Sequence, residues 1–450
     1  MAGVFHAYDV RGVWGREIDE RLSERIGRAV ALHLRPKRVC VGNDMRDSAT
    51  PAKAALVRGL TAMGCSVEDI GLASTPMHYF ACGHYGFDAG VQVTASHNPP
   101  EYIGFKVSGP GVVPVGGDSG LPEIERLAMS GDPVAPPAGT KPGAMTARDI
   151  RGDYSRHVAR FHRPGQRKLT VVVDCANGMG SLEVDLGLRP RGFDLHVLYP
   201  ELDGTFPNHE ANPLRHENLR DLSAAVKAKK ADAGLAFDGD ADRVCFVDEK
   251  GAVVTNDLLT AVIAREILPS EPEGSAVVYD LRSSRVVPET VQAMGGRPVR
   301  ERVGHAFMKA RLRKEQGAFG GEYSGHFYFR DNWYADSGVI ASLLVLNRLS
   351  REETPFSEFL RPLRRYFQTG EVNFEVEDKD GKIRELEEAF KDGDLDFADG
   401  ITVNFADWWF NVRKSNTEPL LRLNLEGMTR EAFERGRARV LPMLGEPVDR

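Results

Sequence analysis

Long apolar runs are missing: no stretch of the chain approaches the roughly 18 residues that a membrane helix requires. Residues 1–6, MAGVFH, lack the basic region and apolar core of a secretory leader. Both absences point to a cytoplasmic protein with no membrane partner. Cysteine is scarce, with five among 450 residues (Cys40, Cys65, Cys82, Cys175 and Cys245). The number is odd and no pair has C-x-x-C spacing, so buried reduced thiols are expected rather than a disulfide framework or a zinc site. Positive charge is in deficit, 58 Lys and Arg against 65 Asp and Glu, for a net charge of −7. That balance argues against nucleic acid as a partner, while a local basic pocket for a phosphorylated small molecule remains compatible with it. Neither a complete G-x-G-x-x-G fingerprint nor a P-loop is present; Asn177-Gly178-Met179-Gly180 is only a fragment of the former. With 42% hydrophobic and 27% charged residues, the chain is neither disordered nor fibrous.

What is there is an alternation. Short β-branched runs (38–41, 90–94, 169–174, 193–198, 232–237, 244–247, 276–280) alternate with helical patterns (51–63, 219–229, a helix from 256, 283–293, 304–313). This is the grammar of α/β architecture with largely parallel sheets. The proline-rich segment 132–143 reads as a linker, since proline lacks the N–H donor. Further breaks fall near 248–251 and 368–370. Beyond the last come strands at 372–376, 400–405, 408–412 and 420–425 and a closing helix from 429, an α+β pattern. The expected domains are 1–143, 144–252, 253–368 and 369–450.

Four motifs carry chemistry. Thr94-Ala95-Ser96-His97-Asn98-Pro99-Pro100 follows a strand, so its turn should sit at the carboxyl edge of a sheet, where α/β proteins bind ligands. Ser96 is a candidate nucleophile, His97 its neighbouring base, and Lys106 a nearby cation. Asp238-Gly239-Asp240-Ala241-Asp242-Arg243 lies between two apolar strands. Carboxylates about 4 Å apart repel by ~4 kcal/mol at an effective dielectric of 20. A hard divalent cation such as Mg²⁺ removes that cost. An EF-hand is disfavoured, because Arg243 stands where the loop needs glycine. In Gly320-Gly321-Glu322-Tyr323-Ser324-Gly325-His326, an extended backbone would point Glu322, Ser324 and His326 to one side, a set suited to sugar hydroxyls. Arg413-Lys414-Ser415-Asn416-Thr417-Glu418-Pro419, followed by Arg422, has the composition of a phosphate cradle. A Gly-rich or polar turn is the plain reading of the last two when each is taken alone.

Together, and with Tyr8-Asp9-Val10-Arg11-Gly12, these motifs resemble the α-D-phosphohexomutase superfamily, specifically its bacterial phosphomannomutase/phosphoglucomutase group. The resemblance covers nearly the whole chain, in motif order and spacing. It implies three related α/β domains with mixed sheets and a smaller C-terminal α+β domain around a central cleft. It also implies a phosphoserine at Ser96 that exchanges a phosphoryl group with a hexose phosphate through a hexose 1,6-bisphosphate. In that scheme Asp238, Asp240, Asp242 and a phosphoserine oxygen hold Mg²⁺. Lys106, Arg11 and Arg243 surround the transferring group, and His326 and His305 serve acid–base chemistry. Tyr8, Glu322 and Ser324 bind the sugar, and Arg413, Ser415, Asn416, Thr417 and Arg422 bind the distal phosphate.

The chain departs from the family pattern at Ile103 after Tyr102, at Lys414 in place of proline, at Asn43 before Asp44, and at Arg282, where lysine is common. The rival readings are a phosphoglucosamine mutase, disfavoured by Tyr323 and Asn416, and a Mg²⁺-dependent sugar phosphatase with an aspartate nucleophile. The sequence leaves open the preference between mannose and glucose and the oligomeric state.

Overall fold

The computed structural model describes residues 3–131, 134–415 and 420–448. Among them the strands form four sheets in chain order. The seven-stranded first sheet has the parallel strands Ala89–Val93, Arg38–Asn43, Ser66–Leu72 and Met145–Ala147 on one side. Tyr102–Gly109 and Val10–Val13 extend it antiparallel on the other. In the second sheet, Asp194–Leu198, Thr170–Asp174 and Ala233–Phe237 are parallel, and Val244–Asp248 turns back antiparallel. The third repeats that plan with Arg297–Glu301, Ala276–Asp280 and Phe319–Gly321 parallel and Phe327–Phe329 antiparallel. The fourth, six-stranded sheet centres on the antiparallel strands Ile401–Asn404, Trp408–Lys414, Leu420–Gly427 and Phe367–Glu375.

Burial explains why these runs become strands. Ala233–Phe237 and Val244–Asp248 are buried at every position, as continuous apolar runs covered on both faces must be. The helix Gly338–Leu349 is buried almost all round, with Ser337 accepting from Ile340 N as its cap. It packs into a core shared by the first three units. That core joins Phe80 and Met77 on the helix Thr75–His84, Tyr154 and Val158 on Arg151–Ala159, and Phe237, Val339 and Phe319. The fourth unit has its own core around Phe374, Phe390, Trp408 and Phe410.

Three local expectations differ from the structure. The segment 368–370, read as a break, lies inside the strand Phe367–Glu375 as a bulge, with Gly370 at φ 70°. Gln368 Nε2 fixes it to Asp257 and Glu426, and Thr369 Oγ1 accepts from Leu425 N. The strand Met145–Ala147, just past the linker, pairs with Ser66–Leu72 of the first sheet. The helix expected from 283 begins at Val286. Of the linker, residues 134–143 carry no regular element, and Asp132 and Pro133 lie outside the described residues.

Candidate functional site

Ser96 sits three residues past the end of Ala89–Val93, at φ 52°, with its N–H on Thr94 Oγ1. This left-handed turn does not expose the hydroxyl: Ser96 is buried, covered by the acidic loop of the second unit. Its Oγ donates to Asp238 Oδ2 at 2.8 Å. The two loops touch because position 239 is glycine; a Cβ there would fall 2.3 Å from Ser96 O.

His97 Nδ1 lies 3.2 Å from Ser96 Oγ, but it also accepts from Arg243 Nη2 at 2.9 Å. A guanidinium only donates, so that lone pair is engaged. Burial, then Arg243 and Arg11, hold the imidazole well below its ordinary range. The geometry therefore directs the Ser96 proton toward Asp238 and away from the adjacent histidine.

Asp238, Asp240 and Asp242 are all buried, and one oxygen of each lies within 4.8 Å of the others. Lys106 Nζ bridges Asp240 Oδ2 at 2.6 Å and Asp242 Oδ2 at 2.5 Å. Thr75 Oγ1 also donates to Asp240 Oδ2. Even so, Asp240 Oδ1 and Asp242 Oδ1 are buried without a hydrogen-bond partner. Burial and then the neighbouring Asp242 and Asp240 push Asp238 up to about 8. Crowded carboxylates with orphaned oxygens and one ammonium between them are a donor set suited to a hard divalent cation.

A second group, Asp242, His326 and Asp336, shares Asp242 with the first. There the cationic place is taken from within: Lys309 Nζ is 2.7 Å from Asp336 Oδ1, and His326 Nδ1 is 2.8 Å from Asp336 Oδ2. Burial pulls His326 down, but Asp242 and Asp336 outweigh it and its pKa is raised. His305, the first residue of the helix His305–Glu315, has its ring 6.1 Å from that of His326. Burial and then Lys309 hold His305 well below its ordinary range. The two neighbouring imidazoles are thus shifted in opposite directions.

Arg11 is locked to Asp9 and donates to Asn98 Oδ1 at 2.7 Å, beside the serine turn. The ring of Tyr8 lies 5.0 Å from that of His305, and burial, then Glu322, raise its hydroxyl to about 12. Beyond the strand Phe319–Gly321, residues 322–326 are not extended. They form the tight turn of a hairpin, with Gly325 at φ 86° and Glu322 N bonded to His326 O. The turn still brings Ser324 Oγ to Glu322 Oε2 at 2.6 Å and Tyr328 OH to Glu322 Oε1 at 3.0 Å.

In the fourth unit, Arg413 and Arg422 converge on Glu371 at 2.9 and 3.1 Å, and Arg282 of the third unit joins them at 3.2 Å. Burial opposes the Glu371 charge, but the arginines, led by Arg282, outweigh it and lower the carboxyl to about 2. Arg282 is also bonded to Asp280, so it is a fixed cation tying the last two units together. Lys414 points outward to Asp380. Ser415 N is bonded to Leu420 O, while Asn416 and Thr417 lie outside the described residues.

Arg46, Thr75, Lys309, Asp336 and Glu371 carry no motif in the sequence. Only Lys309, four residues after His305 and so on the same helical face, offered a signal.

A buried hydroxyl against a carboxylate triplet, ringed by Lys106, Arg243 and Arg11, with the Glu322–Ser324 turn and an arginine cluster beyond, is a donor set suited to phosphoryl transfer. The family model for phosphoglucomutase/phosphomannomutase alpha/beta/alpha domain I matches residues 2–133. Those for domains II and III match 153–251 and 255–366, and that for the C-terminal domain matches 371–443. A phosphomannomutase of Escherichia coli K12 is 38% identical over 446 residues, covering 97% of each chain. The phosphohexose mutases of Xanthomonas campestris are 39% identical over 426 residues, covering 94% of each chain. A solved structure of a phosphoglucomutase/phosphomannomutase family protein from Burkholderia thailandensis superposes with TM-score 0.89 at 33% identity, covering 98% of this chain and 96% of the other. The chain belongs to the phosphoglucomutase/phosphomannomutase family, and it is a mutase, an isomerase.

Proposed function

We propose that the chain interconverts the 1- and 6-phosphates of mannose and glucose through a phosphoserine at Ser96 and a hexose 1,6-bisphosphate. The observation that carries this reading is the Ser96 Oγ hydrogen bond to Asp238, made across two units, with Lys106 bridging the other two aspartates. Asp238, Asp240 and Asp242, with a phosphoryl oxygen on Ser96, would hold Mg²⁺, which when bound neutralises charge on the transferring group.

The P–O bond at Ser96 breaks as one forms to a sugar hydroxyl, and the hydroxyl proton passes to a cleft base. The unprotonated His305 suits the base, and His326, raised by Asp242 and Asp336, suits the acid of the return step. Lys106, Arg243 and Arg11 stabilise the phosphoryl oxygens, and His97 holds Arg243 in place. Glu322, Ser324 and Tyr8 read the sugar. Arg413, Ser415 and Arg422, with Asn416 and Thr417, take the distal phosphate, which then competes with Glu371 for the arginines.

The test is ³¹P NMR with glucose 1-phosphate, Mg²⁺ and a trace of glucose 1,6-bisphosphate, repeated with mannose 1-phosphate. Growth of the 6-phosphate signal supports the reading, and the two rates give the sugar preference. Growth of orthophosphate would mean a phosphatase, and no change would make glucosamine 1-phosphate the next substrate. Ser96→Ala should lose nearly all turnover with an unchanged melting transition; full activity in that variant would remove the phosphoserine step.

A further inference from the structure

Another cluster of donors lies under the first sheet, outside the cleft. Cys40 is on the strand Arg38–Asn43, and His78 and Cys82 are on the helix Thr75–His84. The helical pair is four residues apart, hence on one face, and that face packs against the strand. All three side chains are buried, at 0%, 0% and 2% exposure, and their ligand atoms lie within 4.8 Å of one another. Cys82 Sγ is 3.6 Å from His78 Nε2. Zinc bonds of ~2.3 Å to sulfur and ~2.0–2.1 Å to nitrogen give a tetrahedral S···N edge of ~3.6 Å. Ser108 Oγ, on the strand Tyr102–Gly109, donates to Cys82 Sγ at 4.0 Å.

The space is kept by an absent side chain. Gly90 pairs with Cys40 in the sheet, and a Cβ there would come within 2.3 Å of Cys82 Sγ and 2.8 Å of His78 Nε2. Phosphoryl transfer makes no use of these residues, and the imidazole nitrogen that faces the two thiols is Nε2.

We propose that Cys40, His78 and Cys82 form a structural site for a thiophilic d¹⁰ cation of the Zn²⁺ class. Two thiolates and a neutral imidazole exactly balance a dication, so the filled site carries no net charge into the core. Binding releases the two thiol protons. Softness separates this site from the aspartate loop, whose oxygens suit a hard cation. The ion fastens one end of a helix to the sheet. The other end of that helix carries Thr75, which donates to Asp240 at 2.5 Å.

The test uses the full chain produced under reducing conditions with Co²⁺ and then washed with EDTA. Stoichiometric retained cobalt with near-ultraviolet thiolate-to-cobalt absorption is expected, lost in Cys40→Ala and Cys82→Ala and kept in Cys65→Ala. Zinc X-ray absorption of the unmutated protein should show two sulfurs and one nitrogen, and it decides the matter if the variants do not fold. No retained metal, or an oxygen-only shell, overturns the proposal.

Discussion

Arg46 shows what a single side chain does for the serine turn. Its guanidinium is fully buried, 3.3 Å from Asp44, and donates to the carbonyls of Ser96, Asn98, Pro99 and Tyr102. It therefore holds the strained Ser96 backbone from beneath. Arg46→Met would leave Asp44 buried and unpaired and free those carbonyls, a loss on the order of 3–5 kcal/mol. The expected result is a clear drop in the urea midpoint together with loss of mutase activity; a loss below ~1 kcal/mol would show that the turn holds itself. Nothing in the sequence marks Arg46, since its acceptors lie some fifty residues on. Ser96 and the three aspartates were legible for the opposite reason: their chemistry is contiguous, and a hydroxyl or carboxylate repeat after an apolar strand is visible without a partner. His97 misled on the same ground. Adjacency in sequence suggested a base for Ser96, and only the fold reveals that Arg243 occupies its nitrogen.

Elements were read from periodicity, which locates a helix but not what its end must do. The pattern placed a helix over 304–313, and the structure has His305–Glu315. What periodicity could not give is why it starts there. Gly304 is at φ 137°, and a Cβ on it would fall 2.3 Å from Tyr8 OH. The chain thus needs glycine to bring His305 and Lys309, on one helical face, against the cleft. Gly304→Ala forces a conformation that costs ~1–3 kcal/mol and pushes Tyr8 and His305 apart. We expect kcat/KM to fall about tenfold, the equivalent of ~1.4 kcal/mol, with unchanged far-ultraviolet circular dichroism. An unaltered kcat/KM would mean that this helix start does not set the His305 position. The 322–326 turn was misread as extended for a related reason: the i, i+2 pattern of Glu322, Ser324 and His326 imitates a strand, and the positive φ of Gly325 that makes it a turn is invisible until the hairpin partner is known.

At the scale of the molecule, one core runs through the first three units while the fourth keeps its own. Motion is therefore expected at the fourth, across contacts such as Arg282 with Glu371, rather than among the others. What welds the first unit to the second is partly polar. Glu183 is fully buried, accepting from Tyr154 OH at 2.7 Å and from Ser74, the cap of the helix that bears Thr75. No cation faces it. Burial outweighs both hydrogen bonds and raises the carboxyl from its ordinary 4.5 to about 7. Below pH 4.5 the group is protonated folded or unfolded, and above 7 it is ionised in both states. Between those limits the folded state binds more protons, so its stability declines as pH rises through the window, by up to ~3 kcal/mol. Glu183→Gln keeps the size and an acceptor but cannot ionise. Its melting temperature should gain on that of the parent between pH 4.5 and 7 and then stay a fixed distance above it. Thermal melts of both proteins at pH 5, 6, 7 and 8 check this, and curves that stay parallel throughout would show that Glu183 ionises as an ordinary surface carboxylate does.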